Sequence, residues 1–343
     1  MSDPVRLTQY CRSAGCGCKL APHLLDQILS GNGEAIQTGR LLVGNHSRDD
    51  AAVYKLDHHQ ALISTTDFFM PIVDDPFDFG KIASVNAISD VYAMGGRPQM
   101  AVAILAWPSA SLSSETARRV LEGGRAACAS AGIPLAGGHS IDASEPVFGL
   151  AVSGLVQVSQ LKRNNTAEPG CFLFLTKPLG VGLVATAHKH GCVDSVDLKR
   201  AIEQMTILNS LGASLSSLSG VKAMTDVTGF GLLGHLMEMC TGSGVSAVLD
   251  FGRVPLLENI DRYVDQEFTS GGTDRNFKSY GHNVNPLTKR QKALLCDPQT
   301  SGGLLVAVAP DALQAFGEMT ANHALKSIGR IIEPTNPVIV VNE

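Results

Sequence analysis

The sequence predicts an α+β protein of two successive domains, and three observations predict it. Apolar, β-branched runs alternate with stretches whose apolar residues recur at spacings of three and four. A polar stretch ending in Glu168-Pro-Gly170 separates two such series. With 343 residues, 44% of them hydrophobic and only 17% charged, the chain is long enough for two cores and too apolar to be disordered.

In chain order, residues 41–44, 61–66, 100–105 and 147–156 read as strands. Residues 79–94 and 113–131 read as helices, the second opening on the capping sequence Ser113-Ser-Glu-Thr116. Residues 157–170 read as a linker, with one domain over 1–156 and the other over 171–343. The second domain begins on the apolar strand 171–176 and turns through Leu179-Gly-Val-Gly182 into a helix ending near His190. A helix over 196–218 follows, and the glycine-rich run 225–234 opens another. Residues 268–285, polar and rich in glycine, predict a long surface loop, after which 302–308 and 338–341 read as strands.

Composition excludes several function classes. A net charge of −5 with no long basic run argues against nucleic acid or an anionic membrane as partner. No stretch approaches the ~20 apolar residues that span a bilayer, and the first ten residues lack the apolar centre of a signal peptide, so a cytoplasmic location is expected. Of the eight cysteines only Cys11, Cys16 and Cys18 lie close together; the other five read as small buried hydrophobes.

Three groups of residues carry chemistry. In Gly15-Cys16-Gly17-Cys18-Lys19 a thiol and an ammonium sit within a few residues of flexible backbone, and a nearby lysine raises the thiolate fraction of a cysteine. The segment, about 10–45, reads as a mobile reactive loop and a lid. The second group is a set of carboxylates at element ends: Asp49 and Asp50, Asp67, Asp90, and Asp226 before a glycine-rich helix entry. Asn86 and Asp90 are four residues apart and share a helix face. Such a set suits magnesium, which takes a few carboxylates together with substrate phosphates; each aspartate taken alone is equally a helix cap or turn former. The third is Gly137-Gly138-His139-Ser140, where backbone N–H groups can cradle phosphate, or which is simply a turn. Asp297-Pro-Gln-Thr-Ser-Gly-Gly303 also reads either as a turn or as part of a site.

Together with Arg48-Asp-Asp-Ala-Ala-Val-Tyr54, Ser64-Thr-Thr-Asp-Phe-Phe69, Asn86-Ala-Ile-Ser-Asp90, Ala136-Gly-Gly-His-Ser-Ile-Asp142, the run from Met224 to His235 and the run from Cys296 to Gly303, these motifs resemble the selenophosphate synthetase family over essentially the whole chain. The resemblance implies a two-domain fold like that of aminoimidazole ribonucleotide synthetase. Its N-terminal domain would pair strands across a homodimer, and its C-terminal domain would be α/β. It implies conversion of ATP, selenide and water to selenophosphate, AMP and orthophosphate, with Mg2+ as cofactor and a selenium-delivery protein as a candidate partner. By position, Cys16 and Lys19 match the family's catalytic residues, and Asp50, Asp90 and Asp226 its magnesium ligands. Lys19, Ser47, Arg48, Asp49, Asp67, Asp90, Gly138, His139 and Ser140 match nucleotide-contacting positions. Two other readings stand beside this one: another ATP-dependent kinase or ligase of the wider superfamily, and a non-catalytic thiol or zinc module built on Cys11, Cys16 and Cys18.

Overall fold

The computed structural model describes residues 5–11, 14–19, 27–28, 39–44 and 48–343. Much of the expected lid at 10–45, and Ser47, lie outside the described residues.

The first half builds one six-stranded sheet from β1 (Leu41–Val43), β2 (Ala52–Lys55), β3 (Gln60–Phe69), β4 (Arg97–Trp107), β5 (Leu135–Asp142) and β6 (Val147–Gln157), ordered β1-β2-β3-β6-β4-β5. Neighbours are antiparallel except β4 and β5, which run parallel. Parallel neighbours need a crossover, and the helix α2 (Ser114–Ser130) supplies it, capped by Ser113. One face of the sheet is covered by α1 (Pro76–Ala93). Its start is fixed by Pro76 at the first position and by Asp75, whose carboxylate accepts the N–H groups of Phe77 and Asp78. Every residue of α1 from Phe79 to Ala93 except Lys81 is buried, because α1 packs on β3, β6 and α2 and also meets the second half of the chain.

The second half contains β7 (Phe172–Leu175), α3 (Val181–Lys189), α4 (Ser195–Met205), α5 (Leu211–Leu215), β8 (Val221–Asp226), α6 (Gly231–Ser243), β9 (Ser246–Asp250), α7 (Ile260–Asp265), α8 (Gly271–Tyr280), α9 (Lys289–Leu295), β10 (Leu304–Val308), α10 (Leu313–Met319), β11 (Ser327–Ile332) and β12 (Ile339–Asn342). Its sheet runs β12-β9-β11-β7-β10-β8, with β10 buried along its whole length, as an unbroken apolar run requires.

Three expectations need correction. Residues 196–218 form two helices, α4 and α5, because Asn209 between them turns inward and donates to Ser89 Oγ and Gly302 O at 2.8 Å each. Residues 268–285 are mostly helical: Ser270 caps α8 through Thr273 N–H, and its Asn276 amide donates to Gly229 O at 2.9 Å and Cys296 O at 3.0 Å. The glycines that suggested a loop make that packing possible, since a Cβ on Gly272 would lie 2.5 Å from Pro298. Of the five scattered cysteines, Cys128, Cys171, Cys240 and Cys296 are buried, but Cys192 is exposed in the polar connection after α3.

Candidate active site

The helix α1 is the spine of the site. From one face Asn86 Nδ2 donates to Asp67 Oδ2 on β3 at 2.6 Å, and one turn later Asp90 accepts from Thr65 Oγ1 at 2.5 Å. From an adjoining face Ser89 Oγ donates to Asp226 Oδ2 at the end of β8, also at 2.6 Å. Helical spacing thus joins carboxylates from both halves of the chain.

The segment 14–19 is laid against this spine as a short 3-10 turn, Gly15–Cys18. Cys16 N–H donates to Thr300 Oγ1 at 3.0 Å, and Cys16 Sγ lies 3.3 Å from Asn86 Oδ1. Lys19 Nζ is 3.2 Å from Asp67 Oδ2, with about 37% of its side chain still open to solvent. A Cβ on Gly229, in the turn entering α6, would stand 2.7 Å from Cys16 O, so the glycine-rich run makes room for the thiol-bearing segment. Arg275 on α8 holds Gly17 O at 2.9 Å. The Cys11 sulfur faces Thr8 O and Pro71 O, turned to a different contact from Cys16, while the Cys18 side chain lies outside the described residues.

The electrostatics are those of a site built for a charged guest. Burial, and then the charges of Asp226, Asp49 and Asp90, push the Asp50 carboxyl well above its usual range; a hydrogen bond from Thr225 Oγ1 at 2.8 Å pulls the other way. Burial and the neighbouring Asp226 and Asp67 do the same to Asp90, against the pull of Lys19 and Thr65. Asp226 is raised by burial and opposed by Ser89 and Lys19, and Asp49 is raised to about 6 by burial although two backbone N–H groups bind it. At Lys19 burial works to lower the pKa, but Asp67, Cys16, Asp90 and Asp226 outweigh it and hold the ammonium well above its ordinary value. Two carboxylate oxygens, Asp49 Oδ2 and Asp50 Oδ2, are buried without any hydrogen-bond partner. Buried oxygen ligands that repel one another and lack donors fit a hard divalent cation. Among the described residues no three His, Cys, Asp or Glu side chains close a metal shell by themselves, so phosphate oxygens would have to complete one.

Some expected residues stand apart. Gly138 lies in the same register row as Asp67, through Leu150 and Ala103, but with two strands between them. At about 4.8 Å per strand the separation is roughly 14 Å. Gly138, His139 and Ser140 are exposed on the edge strand β5 and touch none of the carboxylates within one chain. Arg48 is exposed beside a cavity of about 260 Å³ shared with Phe230, Glu238 and Tyr280, and its carbonyl accepts from Asn164 Nδ2 at 2.9 Å.

Other groups that build the site were not singled out from sequence. Thr65, Ser89, Thr225 and Thr300 lie within the quoted motifs but were given no role of their own, and Asn164 and Asn209 lie in none; all six are neutral side chains whose partners are distant in the chain. Ser301 carried one faint signal, the Thr-Ser-Gly-Gly run, and it adopts a φ of 51° that a non-glycine residue rarely takes.

The chain matches the family model for the AIR synthase related protein N-terminal domain over residues 48–156 and that for the C-terminal domain over 168–342. It is 57% identical to the selenide, water dikinase of Pseudomonas putida over 99% of this chain and 100% of that one. It is 55% identical to the selenide, water dikinase of Photorhabdus laumondii, with both chains covered in full. Among solved structures it superimposes on thiamine-monophosphate kinase from Stenotrophomonas maltophilia with a TM-score of 0.65 at 21% identity, covering 95% of this chain and 96% of the other.

Proposed function

Because the chain belongs to the selenide, water dikinase family, within the AIR synthase related proteins, we propose that segment 14–19 and the carboxylates around α1 form the centre at which it phosphorylates selenide. The enzyme is a phosphotransferase that uses ATP and makes selenophosphate. The observation that carries the site assignment is the joining of Cys16, Lys19, Asp67 and Asp226 through Asn86 and Ser89 on α1, the helix that also presents Asp90 to Thr65.

In this reading two phosphoanhydride bonds of ATP break per turnover, one phosphoryl group passing to selenium and the other to water, which leaves AMP and orthophosphate. Asp50, Asp90 and Asp226 would hold Mg2+, whose contribution is to neutralise charge on the phosphate oxygens. Lys19, anchored by Asp67, sets a positive charge beside the transferring group. Cys16 faces the same space, with Gly229 and Arg275 keeping its segment closed over the site so that water is excluded from the first transfer. Asp49, Asp67, Arg48 and Ser47 complete the nucleotide contacts. The division into 1–156, 157–170 and 171–343 belongs to this reading; β6 ends at Gln157 and β7 begins at Phe172. So does a cytoplasmic setting, where thiols stay reduced. A selenium-delivery protein would spare the release of free selenide. The test is nucleotide analysis under anaerobic conditions: AMP must appear only with selenide present, whereas a sister kinase of the same fold leaves ADP whether selenide is there or not.

We also propose that the enzyme is a homodimer through its first sheet. By the register, Leu62, Phe68, Met100, Val102, Ile104 and Ile141 share the face away from α1, and Phe68, Met100 and Ile141 are 49%, 46% and 56% exposed. An apolar sheet face of this kind is normally covered. A second copy would also carry its own Gly138–Ser140 edge toward the nucleotide. Light scattering at micromolar concentration is expected to give a dimer, and Phe68→Asp a monomer with most activity lost. A fully active wild-type monomer contradicts this reading.

A further inference from the structure

We propose that Asn86 is a positioning residue that holds Cys16 in its thiol form, facing Asp67 and Lys19. The inference rests on the reading of Cys16 as the reactive group and adds the residue that decides which protonation state is held at rest.

Asn86 is fully buried in α1, and its neighbours dictate how the amide is turned. Ser301 N–H, which only donates, reaches Oδ1 at 2.8 Å, while the Asp67 carboxylate, which only accepts when ionised, takes Nδ2–H at 2.6 Å. Oδ1 and Nδ2 therefore do not exchange places. The Cys16 sulfur, 3.3 Å from that Oδ1, faces an acceptor. A thiol there donates S–H to the carbonyl oxygen; a thiolate meets lone pairs and is repelled.

The surroundings keep this arrangement fixed. Cys16 N–H is tied to Thr300 Oγ1 at 3.0 Å, so the segment stays seated beside Asn86. Ser301 presents its N–H only because its backbone holds the unusual φ of 51°, and Lys177 Nζ locks that turn by donating to Ser301 O at 2.8 Å and to Ile207 O at 2.7 Å. A resting thiol is also protected, since oxidation proceeds through the thiolate. Lys19, three residues on in the same segment, faces Asp67 on β3, Asp90 on α1 and Asp226 on β8 as well as Cys16, and Arg275 on α8 binds Gly17 O beside it. None of them is removed when residue 86 is changed, and Asp67 alone loses a bond, the one from Asn86 Nδ2.

The test is alkylation of Cys16 by iodoacetamide in nucleotide-free full-length protein, read by peptide mass spectrometry from neutral to alkaline pH. Asn86→Ala removes the acceptor, so its profile is expected to move about one pH unit lower, with a roughly tenfold faster reaction at neutral pH. Asn86→Asp keeps an oxygen acceptor against the thiol, and its profile is expected to stay at or above the wild-type midpoint. A general loosening of the fold would raise the reaction in both variants alike. An unmoved midpoint in Asn86→Ala, or a common downward shift in both variants, overturns the proposal. The readout follows the sulfur alone, so its failure is distinct from failure of the dikinase reading, which turns on selenide-dependent AMP.

Discussion

Lys19→Gln is expected to abolish selenophosphate formation, with turnover falling by about 10³-fold or more, while Mg-ATP still binds. Lys19 is the cation that the segment 14–19 brings to the carboxylate cluster, where Asp67 holds it 3.2 Å away. With glutamine the chain length remains but the charge is gone, so the loss falls on stabilisation of the transferring phosphoryl group more than on ground-state affinity. Cys16→Ser is expected to lose selenide-dependent product and to retain nucleotide binding, and Cys18→Ser to keep most activity. Anaerobic product formation measured beside nucleotide affinity separates the three. A Lys19→Gln enzyme within tenfold of wild type, or a dead Cys18→Ser beside a normal Cys16→Ser, would remove these assignments.

The second large effect concerns the carboxylates, and its sign differs between free and loaded enzyme. Asp50 and Asp90 are buried beside other acids, and burial is the main cause that raises both of their pKa values. Such groups cost stability in the free protein, so Asp50→Asn and Asp90→Asn are expected to raise the melting temperature of the nucleotide-free enzyme by ~2 °C or more. The same changes remove a negative oxygen ligand, so the further rise produced by Mg-ATP shrinks or disappears and activity is lost. Asp226→Asn is expected to lose the Mg-ATP response in the same way. Thermal melts with and without Mg-ATP check both halves; three variants that keep a full Mg-ATP shift and near-normal turnover would remove the metal assignment.

How much of this was legible in the sequence depends on how local the signal is. Four of the six strands of the first sheet and the body of α1 were readable because their periodicity lies within single segments; β2 and β5 were not read as strands, and α1 starts at Pro76, capped by Asp75, three residues before the expected 79. The α8 helix was not: glycine and polar residues over 268–285 lower helix propensity, and what forms the helix is tertiary, the Asn276 amide bridging Gly229 and Cys296. The split between α4 and α5 likewise follows from Asn209 binding Ser89, a partner 120 positions away. At the site, charged and thiol residues stood out by type. The neutral groups that orient them, Thr65, Ser89 and Thr300, did not, because their hydrogen-bond partners lie 25, 137 and 284 positions away in the chain. Gly138–Ser140 shows the converse: a recognisable motif that one chain leaves at an exposed edge.

The most direct test of the central claim is phosphorus NMR of an anaerobic reaction containing the enzyme, ATP, magnesium and selenide. The account predicts a selenium-bound phosphate signal together with equal amounts of AMP and orthophosphate, all three absent without selenide and absent in Lys19→Gln. ADP accumulating as the final nucleotide, or ATP consumption indifferent to selenide, would contradict it.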